Sequence, residues 1–235
     1  MSRPDDPELI AQLLALVAHD LRNPLSALHS NAGYLQSTMG KESDDLREAL
    51  DDVVSSCTSL GSIIDNLELL GVALEDAPVV DLAPLSLSDV ATEALQQCQA
   101  LARSYRVELR LEQEPGAEAS FVMTNRDMLR RALANVIRNA IQHGSRDVDV
   151  TITVGKGVVR VEDGGAALAP ELAERAFTAE GQLECKSHPA GRYSRGLGLF
   201  AAAVAAKAAG AKLSPVAARK AGRSAFELRV ALADV

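Results

Sequence analysis

Near the N-terminus, apolar side chains recur at Leu9, Leu13, Val17, Leu21, Leu25, Leu28, Ala32 and Leu35, in steps of three and four. Such steps draw one stripe along an amphipathic helix, predicted from about Pro7, a favoured first-turn residue, to Met39. Gly40 is a stop signal, and Ser43 or Asp44 can cap a second helix. That helix repeats Leu46, Leu50, Val53, Cys57, Leu60, Ile64 and Leu67 at alternating four- and three-residue steps, a heptad seam. Two antiparallel helices cannot bury two such stripes alone. Two-fold doubling of the hairpin into a four-helix bundle buries both. The seam thus predicts a homodimer, with Cys57 as a core position.

From Gly71 to Leu85 there are two prolines and no helical period, which reads as a linker over 72–85. It separates a helical hairpin, 1–71, from a second domain, 86–235. There a helix from about Ser88 to Ser104 leads to an alternating strand at Val107, Leu109 and Leu111. Phe121 to Met123 is a short strand candidate. A helix from about Asn125 to His143 buries Leu129, Leu133, Val136, Ile137, Ala140 and Ile141. Val148, Val150, Ile152 and Val154 alternate, Gly155-Lys156-Gly157 turns, and Val158 to Asp163 returns. A helix near Leu197 to Ala209 precedes two closing strands, the last with Phe226, Leu228, Val230 and Leu232 facing one way. Helices on one face of a mixed sheet make an α+β sandwich.

Composition narrows the picture. Hydrophobic residues are 47% of the chain, while aromatics are 3% and Trp is absent, so the cores are aliphatic. A net charge of -8 argues against nucleic acid or an anionic membrane as main partner. Three cysteines, Cys57, Cys98 and Cys185, without CxxC spacing read as reduced cytosolic thiols. No apolar run reaches the length of a membrane span, and no basic-then-apolar signal opens the chain. A soluble, cytoplasmic protein without direct membrane insertion is expected. Few residues precede the first helix, so the signal is expected from a separate sensor protein, unless the chain is a fragment.

The candidate chemistry begins at His19. At about 100° per residue it falls opposite the apolar stripe with Arg22, Asn23 and Ser26, directly followed by Asp20. Pro24 removes one internal hydrogen bond and should bend the helix there. A lone helical histidine is most often a solvated surface residue. Asn135 and Asn139, one turn apart and opposite the stripe with Gln142, would on their own read as surface amides. Three further features stand beside them. Val161-Glu162-Asp163-Gly164-Gly165 sets an acid at a strand end before glycines, where backbone can approach a ligand. Arg195-Gly196-Leu197-Gly198-Leu199 sets two glycines at a helix start, which favours phosphate. Between them, Thr178 to Ser194 forms a long aperiodic stretch, usually functional or disordered in a compact domain.

His19-Asp20-Leu21-Arg22-Asn23-Pro24-Leu25 resembles the phosphoacceptor box of bacterial sensor histidine kinases. The asparagine helix, Asp-Gly strand end, long loop and Gly-x-Gly helix, in that order, resemble the GHKL (Bergerat) ATP-binding domain shared by histidine kinases, gyrase, Hsp90 and MutL. The resemblance runs from about residue 10 to 231, and no Walker A sequence competes with it. It implies that Asp163 holds the adenine amino group, that Asn139 binds the magnesium bridging the phosphates, and that Asn135 also faces them. Gly165, Gly196 and Gly198 join the nucleotide-binding set, 178–194 becomes a lid, and Lys186, Arg192 and Arg195 become candidate phosphate contacts. ATPases of this superfamily carry a glutamate where this chain has Asn135, so His19 rather than water is the implied nucleophile. Asp20 would take or orient the far ring proton. A receiver-domain aspartate on a response regulator would take the phosphoryl group onward, and Asn23 matches the position that serves its hydrolysis.

The resemblance has gaps. Ala167 replaces the second glycine of the Asp-x-Gly-x-Gly box, and Ser194 stands where a further glycine is common. Three readings therefore stay open: an active dimeric histidine kinase, a histidine phosphotransferase with a decayed ATP domain, and a non-catalytic scaffold that docks a regulator.

Overall fold

The computed structural model describes residues 7–38, 44–74, 81–117, 120–144, 148–165, 175–178, 180–181 and 197–233. The chain divides into two compact units, Met1–Glu68 and Leu69–Val235.

The first unit consists of α1 (Pro7–Thr38) and most of α2 (Asp44–Leu74). Helix α1 continues through Pro24. Along it, Leu21, Leu28 and Leu35 are half-buried, whereas Leu25 and Ala32 are exposed. Each set repeats every seven residues, so one flank of the stripe is covered and the other is not. Helix α2 shows the same division. Ala49 and Ser56 are buried and Leu46, Val53, Leu60, Ile63 and Leu67 half-buried, while Leu50, Cys57 and Ile64 are exposed. Cys57, expected in the core of the doubled bundle, is exposed on the single chain, whereas its neighbour Ser56 is buried.

In the second unit, β1 (Ala83–Ser86) pairs antiparallel with β3 (Phe121–Thr124) in a two-stranded ribbon. Strand β1 takes the end of the stretch read as linker. Its Pro84, which cannot donate to a ladder, sits on an edge strand. Helix α3 (Leu87–Tyr105) starts at Ser86, whose side chain accepts from the Asp89 N–H. Then come β2 (Leu109–Gln113), α4 (Arg126–His143), β4 (Val150–Gly155), β5 (Val158–Asp163), a single 3-10 turn (Arg175–Phe177), α5 (Gly198–Ala208), β6 (Ala211–Ala217) and β7 (Ser224–Val230).

The main sheet has the order β2-β4-β5-β7-β6, parallel only at β2-β4. Helices α3 and α5 flank α4 on one face, where Val150, Ile152, Val154, Val159, Val161, Phe226 and Leu228 are buried with the helical Leu129, Leu133 and Ile137. The period-two alternation sends Arg160, Glu162, Glu227 and Arg229 to the other face. This is the expected α+β sandwich. One strand end departs from expectation: Leu232 does not extend the inward row of β7. It bridges to Val122 of β3 and is exposed, joining the ribbon to the main sheet.

Candidate functional site

Helix α4 carries the densest chemistry. Its N-cap Asn125 accepts from Met128 N–H at 2.9 Å, and its apolar stripe is buried as the sequence predicts. Helix α4 lies between two helices over the sheet, and its opposite face is not fully open to solvent. Asn135 is 3% and Asn139 8% exposed, so neither is a surface amide. Among the described residues, Nδ2 of Asn139 is buried with no hydrogen-bond partner. A buried amide in that state costs about 1–3 kcal/mol. It persists most readily where a ligand completes it, and a half-turn of the carboxamide would present its oxygen instead.

Asp163 ends β5 and is 1% exposed. The N–H of Gly165 donates to its Oδ1. Two close approaches set the backbone around it. A Cβ on Gly164 would fall 2.5 Å from the Val148 side chain, so this glycine serves protein packing rather than only ligand access. A Cβ on Gly144, the residue closing α4, would fall 2.5 Å from the Ala140 carbonyl oxygen and 3.6 Å from Asp163 Cβ. Asp163 therefore rests against the end of the helix that carries Asn139, about one and a half turns beyond it. Across β5 and β7, Asp163 pairs in register with the buried Ser224.

The start of α5 is the third part. Its N-cap is Leu197, whose side chain makes no capping hydrogen bond, and a helix start of this kind suits an anionic acceptor. A Cβ on Gly198 would meet nothing within 4 Å among the described residues. Packing among those residues thus gives no reason for glycine at 198. Phe177, at the head of the long connection, stacks edge-on against Phe226 with centroids 6.0 Å apart.

The sequence-predicted set falls into three groups. Asn135, Asn139, Asp163, Gly165 and Gly198 lie on α4, the β5 end and the α5 start of one unit. His19, Asp20 and Asn23 lie on α1 in the other, with Asp20 half-buried and Asn23 exposed. The side chains of His19 and Arg22, and all of Ala167, Cys185, Lys186, Arg192, Ser194, Arg195, Gly196 and most of 178–194, lie outside the described residues.

Sequence reasoning missed Gly144 and Ser224, which no local spacing marks. It also missed Glu162, a buried carboxylate on the opposite sheet face. Glu162 accepts from the backbone N–H groups of Arg219 at 3.1 Å and Lys220 at 3.4 Å. Burial pushes the Cys98 thiol up to about 11, but Cys98 belongs to the α3–α4 core, where it donates to the Ala134 carbonyl.

Comparison with known proteins agrees with this arrangement. Residues 9–71 match the His Kinase A (phospho-acceptor) domain, and residues 124–234 match the histidine kinase-, DNA gyrase B- and HSP90-like ATPase family. Sensor histidine kinase RppB of Synechocystis is 27% identical over 171 residues, 71% of this chain and 37% of the relative. The chain spans little more than a third of the length of such curated relatives. Among solved structures, Acinetobacter baumannii histidine kinase AdeS shares the fold with TM-score 0.57 and 15% identity, covering 91% of this chain and 97% of that one. Histidine kinase ThkA, solved in complex with response regulator protein TrrA, gives TM-score 0.61 at 16% identity over 97% of this chain and 64% of that one. With a phosphoacceptor domain followed by the matching ATPase domain over most of its length, the chain belongs to the sensor histidine kinases and forms their catalytic core.

Proposed function

We propose that this chain is a protein-histidine kinase that transfers the γ-phosphoryl group of ATP to His19 and passes it to an aspartate of a response regulator receiver domain. The observation that carries the reading is the amide nitrogen of Asn139, buried without a hydrogen-bond partner among the described residues, on the same unit as the α5 start and Gly198. These features fit a nucleotide: a carboxamide for the metal, free N–H groups for phosphate, and a buried carboxylate at Asp163 for the adenine amino group. Magnesium, held by Asn139 and the phosphates, would supply neutralisation of charge on the transferring group.

This chain's own residues align rather than attack. At position 135 an amide cannot act as general base toward water, which leaves the imidazole as acceptor. Asp20 would accept a hydrogen bond from the far ring N–H, so that the near nitrogen presents its lone pair. The N–P bond forms as the bond to the β-phosphate oxygen breaks, ADP departs, and the imidazolium proton is stabilised by Asp20. Asn23, exposed one turn after His19, would orient water for regulator dephosphorylation. The exposed rows Leu25/Ala32 and Leu50/Cys57/Ile64 support a homodimer, since a second copy would cover both. The need for ATP places the reaction in the cytoplasm. No helix among the described residues is long and apolar enough to cross a membrane.

Incubation with γ-labelled ATP and magnesium tests the reading. Acid-labile, base-stable label is expected on the wild type and absent from His19→Ala, Asn139→Ala and Asp163→Ala. Label acquired only from a phosphorylated donor protein would establish the relay reading instead, and label retained by His19→Ala would refute both.

A further inference from the structure

Asp163, 1% exposed, has little room to move. Its neighbour Gly164 lies where even a Cβ would fall 2.5 Å from the Val148 side chain. Pairing in register with Ser224 fixes the same strand end from the side of β7. Close packing of this kind lets Asp163 retreat only slightly from whatever stands against it. What stands against it is Gly144, where a Cβ would lie 3.6 Å from Asp163 Cβ.

Gly144 closes α4, and its N–H donates to the Ala140 carbonyl oxygen at 2.8 Å. Its φ of -61° and ψ of 162° are open to any residue, so backbone conformation gives no reason for glycine here. Space does. A Cβ would fall 2.5 Å from the same Ala140 oxygen. With alanine at 144, either the hydrogen bond that closes the helix is given up or a neighbour in contact shifts, and Asp163 is such a neighbour. Asn139 lies about one and a half turns back, inside the helix.

We propose that Gly144 is a specificity-determining positioning residue: with no side chain at 144, the Asp163 carboxylate keeps the depth at which it accepts a hydrogen bond from the 6-amino group of adenine. The packing stands by itself; the consequence for the base rests on the kinase reading above. Recognition of the base depends on the spacing between Asp163 and the end of α4, whereas phosphate and metal depend on Asn139 and the start of α5. A hydrogen bond to a charged acceptor needs short, aligned geometry. Losing one costs about ten- to a hundredfold in affinity.

The full chain carries the test, titrated with magnesium and either ATP or purine riboside triphosphate, which lacks the 6-amino group and keeps the rest. Wild type is expected to prefer ATP at least about tenfold. In Gly144→Ala, affinity for ATP is expected to fall until the preference is about threefold or less, while purine riboside triphosphate binds within about twofold of wild type. Damage to the fold alone would weaken both nucleotides together. A preference kept at the wild-type level would overturn the proposal, whether both affinities hold or both fall by one factor. Loss of binding to both would overturn it too, because the effect would then not be confined to the base. A wild type that binds both equally refutes the role of Asp163 and with it that of Gly144. A wild type that binds neither refutes the kinase reading itself.

Discussion

Replacing Gly198 by alanine separates the needs of the fold from those of the nucleotide. A Cβ at 198 meets no atom within 4 Å among the described residues, and the residue is the first of α5. The folded chain therefore accepts the methyl, and the unfolded chain loses conformational freedom, which favours folding by about 0.4–1 kcal/mol. For a domain of this size that is a rise of about 1–4 °C in Tm. If a phosphate oxygen approaches the same point, the methyl forces a displacement costing about 1–3 kcal/mol. Nucleotide affinity then falls about 5- to 150-fold. Thermal unfolding without ligand and calorimetric titration with ATP and magnesium read the two effects separately. The expected outcome is a protein at least as stable that binds nucleotide much more weakly. Unchanged affinity would refute the phosphate assignment at α5, and a lowered Tm would show that the glycine belongs to the fold.

Gly164→Ala should behave oppositely. Its methyl would collide with Val148 at 2.5 Å, so stability is expected to fall by about 1–3 kcal/mol in chemical denaturation, and an unchanged midpoint would contradict the packing. The raised pKa of Cys98, about 11, means that the folded state keeps the thiol protonated while the unfolded chain ionises from about pH 8.5. Its contribution is complete below that pH and is lost as pH rises toward about 11. Wild-type stability should therefore fall more steeply than that of Cys98→Ala between about pH 9 and 11, and parallel profiles would refute the burial argument. Ile64→Lys with Leu50→Lys places charges on the uncovered heptad row. Light scattering should show a dimer giving way to monomer, and an undisturbed dimer would move the interface elsewhere.

The helices were legible because their apolar periods are long. Leu9 to Leu35 predicts α1 to within a residue of its end, whereas α2 runs on to Leu74, three residues into the stretch read as linker. Which flank of the α2 band stays open was not, since Ser56 and Cys57 differ little in a period count while one faces inward and the other outward. Strand β1 was hidden in four residues that include a proline and gain their order from β3. The nucleotide-site residues were legible as types in an order. Their burial was not: Asn135 and Asn139 read as a wet face, yet both are buried in the folded unit. Gly144, Ser224 and Glu162 depend on contacts between distant segments, which no local pattern carries.

The central claim is that Asn139, Asp163 and the start of α5 together hold ATP. Calorimetric titration of a non-hydrolysable ATP analogue into the full chain, with and without magnesium, measures this directly beside Asp163→Asn and Asn139→Ala. The account predicts one site per chain, binding weakened at least about tenfold by Asp163→Asn, and a magnesium enhancement that Asn139→Ala removes. No detectable heat, or equal affinity in wild type and Asp163→Asn, would contradict it.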